Sequence, residues 1–140
     1  MNGNLDTVLL WIEKADHDLG TAQITFLYLP AYWDTIAFHC QQAVEKYLKA
    51  YLVFLQVPFR KVHSLTYLLS LVSQKIEIPD HLFDKAASLE DLAVEIRYPD
   101  STIVLSDEET AEALSIAKLF REFVITQIGI VSEYRDIVKE

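Results

Sequence analysis

The sequence contains very little of the two residues that interrupt helices. Its 140 residues include only 3 glycines and 4 prolines, and helix interiors tolerate both poorly. Long uninterrupted helices are therefore possible, and the expected fold class is all-α. A chain of this length, with 51% hydrophobic residues, can form one continuous core. We expect a single domain over residues 1–140, with its core at about residues 6–128.

Cysteine, long apolar runs and a basic leader are also scarce or missing. The single cysteine, Cys40, leaves no intramolecular disulfide or cysteine-based metal site, and its apolar surroundings predict a buried thiol. The longest apolar runs, such as Ala50 to Leu55, are far shorter than the roughly 18 to 20 residues that cross a bilayer. The start of the chain does not resemble a signal peptide. We therefore expect no membrane span, a cytoplasmic location, and neither a metal nor another cofactor.

Basic residues are outnumbered by acidic ones. The chain has 12 lysines and arginines against 21 aspartates and glutamates, for a net charge of −9. The averaged field of such a protein repels polyanions. A nucleotide or RNA ligand would therefore require the basic residues to gather in a local patch.

The sequence is rich in apolar residues at spacings of three and four, the period of one helix face. These patterns predict helices at about residues 6–28, 32–56, 64–73, 82–97 and 107–128, the last with a pattern that extends past Gly129 to Tyr134. Pro30 and Pro99 follow two of the helices and end them. Ser64 is a predicted N-cap, and Ser106 with Glu109 fits a capping box. The short loops favour an antiparallel up-and-down bundle of four to five helices.

The second predicted helix has a broad apolar face and an opposite polar face, which carries His39, Gln41, Gln42, Glu45, Lys46 and Lys49. Glu45 precedes Lys49 by one turn, so an i,i+4 ion pair can orient Lys49 and leave Lys46 free for an anion. Gln42 projects from the same side. The alternative is an ordinary solvated helix face, because exposed ion pairs contribute little.

Other cations would join this patch if the helices are neighbours. Arg97 ends the fourth helix, and Arg60, Lys61 and His63 follow the second. Such a cluster suits a phosphate group or an acidic partner surface. The alternative for Arg60 and Lys61 is a favourable position at the negative end of helix two. For His63 it is capping or packing at the start of helix three.

Two further features have simple explanations. His17 lies between Asp16 and Asp18, but consecutive helical residues point about 100° apart and cannot close on one metal ion, so we expect it on the surface. The second predicted helix has more aromatic residues than one face needs for core packing, namely Tyr47, Tyr51 and Phe54. We expect them to leave an apolar strip suited to dimerisation or to a partner helix.

The second helix also carries a family resemblance. Its segment Phe38-His39-Cys40-Gln41-Gln42-Ala43-Val44-Glu45-Lys46-Tyr47-Leu48-Lys49-Ala50 is similar to the central signature of HEPN domains (higher eukaryotes and prokaryotes nucleotide-binding). Three other pieces resemble the family in the expected order: Ala15, Asp18, Leu19 and Ala22; His63 with Leu65, Leu68 and Leu69; and Arg97-Tyr98-Pro99-Asp100. Together they cover roughly residues 8 to 128.

This resemblance implies a helical bundle, often a homodimer, that is commonly paired in bacteria and archaea with a small nucleotidyltransferase, several such pairs acting as toxin and antitoxin. Family members that cleave RNA usually carry an Arg, then about four to six other residues, and then a His. Here Arg97 is followed by Tyr98, Pro99, Asp100, Ser101, Thr102, Ile103 and Val104. The nuclease motif is therefore absent in its usual form.

Our first hypothesis is a HEPN-like homodimeric binding module that works with a small nucleotidyltransferase. Its expected nucleotide or phosphate surface consists of Gln42, Glu45, Lys46, Lys49, His63, Arg97 and Tyr98. The second hypothesis is a metal-independent RNase in which His63 and Arg97 cooperate through the fold. The third is a structural adaptor between proteins, whose polar faces are merely solvated. The sequence names no catalytic residue, and we expect a binding protein rather than an enzyme.

Overall fold

The fold was obtained as a computed structural model, which describes residues 4–96, 98–100 and 102–130. Over these residues it contains five helices and no strand: α1 (Leu5–Tyr28), α2 (Trp33–Leu55), α3 (Leu65–Val72), α4 (Asp80–Glu95) and α5 (Asp107–Ile128). The predicted all-α helical bundle is confirmed. Each helix lies within a few residues of its predicted range.

Helix α2 is the centre of the bundle. It packs most extensively on α1, to which the short connection 29–32 joins it as a helical hairpin, and it also contacts α3, α4 and α5. The core side chains that are fully enclosed include Leu19 of α1, Leu48 of α2, Leu68 of α3 and Phe120 of α5. One hydrophobic core therefore joins all the helices.

The ends of the helices follow the capping residues in the sequence. Ser64 accepts a hydrogen bond from the N–H of Tyr67 at the start of α3. At the start of α5, Ser106 and Glu109 exchange two side-chain-to-backbone bonds of 3.1 Å, which confirms the capping box. Both contacts satisfy N–H groups that a helix leaves without partners at its first turn.

Two helices end in a residue with left-handed backbone geometry. Gly129 has a φ of 77° after α5, and Gln56 has a φ of 59° after α2. Glycine adopts this conformation without a steric penalty, whereas glutamine does not. The predicted continuation of the last helix past Gly129 is wrong at that residue, and Tyr134 lies outside the described residues.

The length and hydropathy of the helices decide whether any of them could span a membrane. Within residues 4–96, 98–100 and 102–130, every helix is too short or too polar to cross a bilayer.

The alternative, an ordinary solvated polar face on α2, is wrong for half of the six polar residues. Three of its polar residues are almost completely enclosed, since only 5% of Gln41, 3% of Glu45 and 7% of Lys49 is exposed. Because several helices pack around α2, part of its polar side is covered as well as its apolar side. Helical periodicity reports which residues share a face but does not report how many neighbours the helix has.

The expected apolar strip on α2 is also wrong for two of its three residues. Tyr47 is fully buried and Tyr51 is 2% exposed, because α1 and α5 cover that side of α2. Phe54 is half-buried against the core. Burial raises the pKa of the Tyr51 hydroxyl above its ordinary value. Tyr47 and Tyr51 therefore stabilise the packing of α2 within the chain and do not contribute to a surface strip.

Candidate functional site

A buried carboxylate joins α2 to the connection before α3. Glu45 accepts a hydrogen bond from the Lys49 ammonium at 2.9 Å through Oε2 and one from His63 Nδ1 at 2.9 Å through Oε1. The i,i+4 spacing on α2 places the lysine beside the carboxylate, as the sequence predicted. We call Gln41, Gln42, Glu45, Lys49 and His63 the Glu45 network.

The backbone at His63 is held as firmly as its side chain. Gln41 Nε2 donates to the His63 carbonyl at 2.9 Å, and Gln42 Nε2 donates to Gln41 Oε1 at 3.0 Å. The next residue, Ser64, caps α3. The imidazole is nonetheless 74% exposed. Its Nδ1 is therefore tied to the protein, and its Nε2 is available to a ligand.

Lys49 has aromatic as well as carboxylate neighbours. Its Nζ lies 5.5 Å from the centroid of the Trp11 ring and 5.8 Å from that of the Phe59 ring. Ring faces carry partial negative charge and attract an ammonium group. The charge of this buried lysine is therefore balanced inside the protein.

A second network connects α1 with α2. Asp18 accepts a 2.8 Å hydrogen bond from His39 Nδ1 and a 2.5 Å hydrogen bond from Lys46 Nζ. Burial alone would raise the pKa of Asp18, but the hydrogen bonds from His39 and Lys46 outweigh it, so that pKa lies below its ordinary value. Lys46 is thus held by a carboxylate, whereas the sequence suggested that it was free. Residue spacing gave no signal for this pairing, because Asp18 and Lys46 are far apart in the chain.

A cleft of about 470 Å³ opens beside His63. It is lined by Gln41, His63, Ser64, Glu90, Asp91, Ala93, Val94 and Glu95. Glu90 already binds α3, because its two carboxylate oxygens accept hydrogen bonds of 3.3 and 3.2 Å from the N–H and the hydroxyl of Thr66. The remaining charged lining is acidic. Within the described residues, the cleft therefore adds negative charge near the imidazole.

The structure brings together four of the seven predicted site residues, namely Gln42, Glu45, Lys49 and His63. Lys46 instead joins Asp18, and the 58% exposed Tyr98 belongs to neither network among the described residues. Arg97 lies outside the described residues. A common phosphate site therefore stays a prediction, and a ligand there would have to compete with two carboxylates for the lysines.

The basic residues of the connection after α2 do not join the Glu45 network through any contact that the described residues show. The Arg60 guanidinium carbon lies 5.0 Å from the centroid of the Tyr67 ring. Hydrogen bonding to Arg60 holds the pKa of the Tyr67 hydroxyl below its ordinary value. Arg60 thus contacts α3, and Lys61 is exposed.

Potential metal ligands are dispersed among the described residues, and the single cysteine is enclosed. Among the described residues, no three histidines, cysteines or acidic groups come close enough to hold a metal ion. The Cys40 thiol is buried, which raises its pKa to about 12. A thiol that remains protonated is a poor nucleophile and a poor ligand. The predicted surface position of His17 is confirmed.

Comparison with known proteins decides the family. The profile of the family described as "HEPN domain" matches residues 8–129. The chain belongs to the HEPN family. No curated protein matches this HEPN chain significantly.

Two crystal structures are similar to this HEPN domain. That of TT1696 from Thermus thermophilus is 26% identical, with a TM-score of 0.75. That of ST0689, an archaeal HEPN homologue, is 24% identical, with a TM-score of 0.70. In each case the match covers 86% of this chain and 97% of the other. The described HEPN fold therefore accounts for almost the whole of both structures.

The residues that carried the HEPN resemblance are mainly residues that build the fold. Leu19, Leu65 and Leu68 are fully buried. Asp18, from the first piece of the resemblance, binds His39 and Lys46 from the second. The first two pieces of the HEPN pattern are therefore in direct contact, and in this chain they hold the α1–α2 hairpin together.

Proposed function

We propose that this HEPN chain is a protein-binding module that assembles as a homodimer and works in the cytoplasm with a small nucleotidyltransferase, in a pair of the toxin–antitoxin or stress-response type. The family membership supports the choice of partner. The observation that carries the binding role is a group of exposed hydrophobic side chains at the end of α1 and in the following turn. We call Ile24, Leu27, Tyr28, Leu29 and Tyr32 the turn patch.

The turn patch is continuous along the backbone. Leu27 and Tyr28 follow Ile24 at spacings of three and four, so they share one side of α1. The Tyr32 N–H donates to the Leu29 carbonyl at 2.9 Å, which closes the turn. Tyr28 is 71% exposed, and the other four residues are 40 to 52% exposed. A clustered apolar surface of this kind marks interaction sites, and tyrosine is favoured at their centres.

The homodimer is tested by measuring molar mass across a concentration series with light scattering or sedimentation. We expect the wild-type chain to be a dimer and Leu27→Glu/Tyr28→Glu to be a monomer, because charges would have to be buried in the interface. Val104→Glu is the control for a single added charge, since Val104 is 73% exposed outside the patch. A wild-type monomer at all concentrations, or equal effects of both variants, would contradict the proposal.

The partner is tested by co-expression with a small nucleotidyltransferase encoded beside this chain. We expect the two proteins to copurify in a fixed ratio. A neighbouring gene of another kind, or a nucleotidyltransferase that elutes separately, would remove this part of the proposal and leave the homodimer unaffected.

A nucleotide phosphate remains a candidate ligand of His63, Lys46, Lys49, Arg97 and Tyr98. The exposed imidazole at the edge of the cleft supports it, and the pairing of both lysines with carboxylates opposes it. A nucleotide titration of Lys46→Ala and Lys49→Ala tests it. We expect weaker binding of both variants than of the wild type, and unchanged affinity would end the case for this site.

The alternative function is RNA cleavage without a metal, and the Glu45–His63 contact favours it. A carboxylate that accepts from Nδ1 orients an imidazole and leaves Nε2 as a general base. RNA incubated with the protein should then be cleaved, and His63→Ala should lose the activity. His17→Ala is the control, because His17 is also exposed. Cleavage that survives both His63→Ala and Arg97→Ala would indicate a contaminant.

A further inference from the structure

Helices α4 and α5 leave a groove between them that shares no lining residue with the turn patch. The groove has a volume of about 470 Å³. Its apolar lining residues are Leu89, Leu92, Ala113 and Ile116. Of these, Leu89, Ala113 and Ile116 belong to the buried core. These three residues are only 1 to 4% exposed, so the floor is narrow and Leu92 supplies most of the apolar surface that a ligand can reach.

Both walls of the groove are helical and about two turns long. One wall runs from Ser88 to Glu95 and the other from Glu108 to Ile116. At a rise of 1.5 Å per residue, these segments extend over about 11 to 12 Å. A third helix laid along the groove would present roughly two turns to it, with apolar anchors at positions i, i+3 or i+4, and i+7.

The rim of the groove has one sign of charge. Its charged lining residues are Asp91, Glu95, Glu108, Glu109 and Glu112, and all five are exposed. Glu109 serves the capping box and Glu112 contacts Lys85 at 3.2 Å. The other three form no hydrogen bond or ion pair within the part of the chain that the structure describes.

The rim places like charges one turn apart, although Glu108 and Glu109 also lie in the first turn of α5, where acidic side chains are favourable. Asp91 and Glu95 are one turn apart on α4, and Glu108 and Glu112 are one turn apart on α5. Like charges at i,i+4 destabilise a helix. Here two such pairs face one groove on a chain of net charge −9. A cationic ligand would relieve this repulsion, whereas a second copy of this acidic chain would increase it.

We propose that the α4–α5 groove binds an amphipathic helix of a partner protein, with apolar side chains on the floor and lysine or arginine side chains along both rims. The apolar floor selects an amphipathic helix over a small cation, and the rim selects a basic one. This inference does not depend on the turn patch or on the identity of the partner as a nucleotidyltransferase.

The test uses a fluorescent 18-residue amidated peptide of leucine, alanine and lysine, designed as a helix with leucines at i, i+3, i+4 and i+7. We expect its anisotropy to report binding that weakens as salt is raised. The variant Asp91→Lys/Glu95→Lys/Glu108→Lys should bind roughly tenfold more weakly, since each rim contact contributes a fraction of this change. Ser88→Trp, which fills the groove without changing charge, should also weaken binding.

The matched control is Glu13→Lys/Glu77→Lys/Asp84→Lys, which changes the net charge equally at exposed positions outside the groove. We expect it to bind the peptide nearly as well as the wild type. Equal loss in both triple variants would show attraction by overall charge only and would overturn the proposal. So would unchanged binding of a peptide in which glutamine replaces every leucine, or equally tight binding of spermidine. Circular dichroism of each variant establishes that it is folded.

Discussion

Asp16 in the first helix and Arg121 in the last form a hydrogen-bonded ion pair, with 2.9 Å between Oδ1 and Nε. The same carboxylate oxygen accepts from the Tyr47 hydroxyl of α2. Arg121 is only 5% exposed. Burial alone would lower the pKa of Arg121, but the hydrogen bond and charge of Asp16 outweigh it and raise that pKa above its ordinary value. One aspartate therefore joins three helices through polar contacts.

Removing this carboxylate should strongly destabilise the fold. We expect Asp16→Ala to lower the free energy of unfolding by about 3 kcal/mol, because Arg121 would remain buried without its main counterion. Urea denaturation measures the change. The double variant Asp16→Ala/Arg121→Met should recover part of the loss, and Glu13→Ala, at an exposed site on the same helix, should change stability by less than about 0.5 kcal/mol.

The buried Glu45–Lys49 pair gives a second stability test. Glu45→Gln should cost about 2 to 4 kcal/mol, because it keeps the side-chain shape but leaves the enclosed ammonium without an anion. Glu112→Gln is the control, since it removes the exposed contact with Lys85 and should cost less than about 1 kcal/mol. Lys49→Met added to Glu45→Gln should restore stability, because methionine packs well against the Trp11 and Phe59 rings. Similar losses of stability in Glu45→Gln and Glu112→Gln would contradict the claim that the buried ion pair contributes more than the exposed one.

These contacts mark the limit of what the sequence could predict. The Glu45–Lys49 pair follows from i,i+4 spacing, and the Ser106 capping box follows from a four-residue pattern, so both were predictable. The bonds of Asp18 to Lys46 and of Asp16 to Arg121 depend on how separate helices pack, which no local pattern specifies. The sequence therefore predicted the helices and the pairing of Lys49 with Glu45. It did not predict that Asp18 binds Lys46, although the expected phosphate site required Lys46 to be free.

Asp18 should make stability depend on acid pH. A carboxyl group whose pKa is lowered by folding stabilises the folded protein at pH values above its pKa in the unfolded chain, about 3.9 for aspartate. This stabilisation is lost as the pH falls through the lower pKa of the folded protein. The wild type should therefore exceed Asp18→Asn in urea midpoint at pH 7 and lose that advantage below about pH 4. Asp84→Asn, at an exposed position, is the control. A constant difference between wild type and Asp18→Asn from pH 7 to pH 3 would contradict the assignment.

The left-handed residues after α2 and α5 should respond in opposite directions. Gly129→Ala should lower stability by about 1 kcal/mol, since its φ is 77° and no atom lies within 4 Å of an added Cβ, so that only backbone strain remains. Gln56→Gly should raise stability by about 0.5 to 1 kcal/mol, because glycine relieves the same strain at a φ of 59°. Thermal unfolding of the two variants measures both effects. If both variants gained stability, or both lost it, left-handed backbone strain would not determine the stability of these two helix ends.

Cys40 should be unreactive in the folded protein. Its enclosure in α2 and its pKa of about 12 leave very little thiolate at pH 8. A thiol-specific chromogenic reagent should therefore label the folded chain slowly and label it rapidly in concentrated urea. Since Cys40 is the only cysteine, no other residue contributes to the signal. Fast labelling without urea would mean that α2 opens readily.

Glu90 links α4 to the beginning of α3. It stands on α4 next to Asp91, and both of its oxygens hold Thr66 at the beginning of α3. These two bonds fasten the first turn of α3 to α4. His63 lies two residues before α3, so the same two bonds help to position the segment that carries the exposed imidazole.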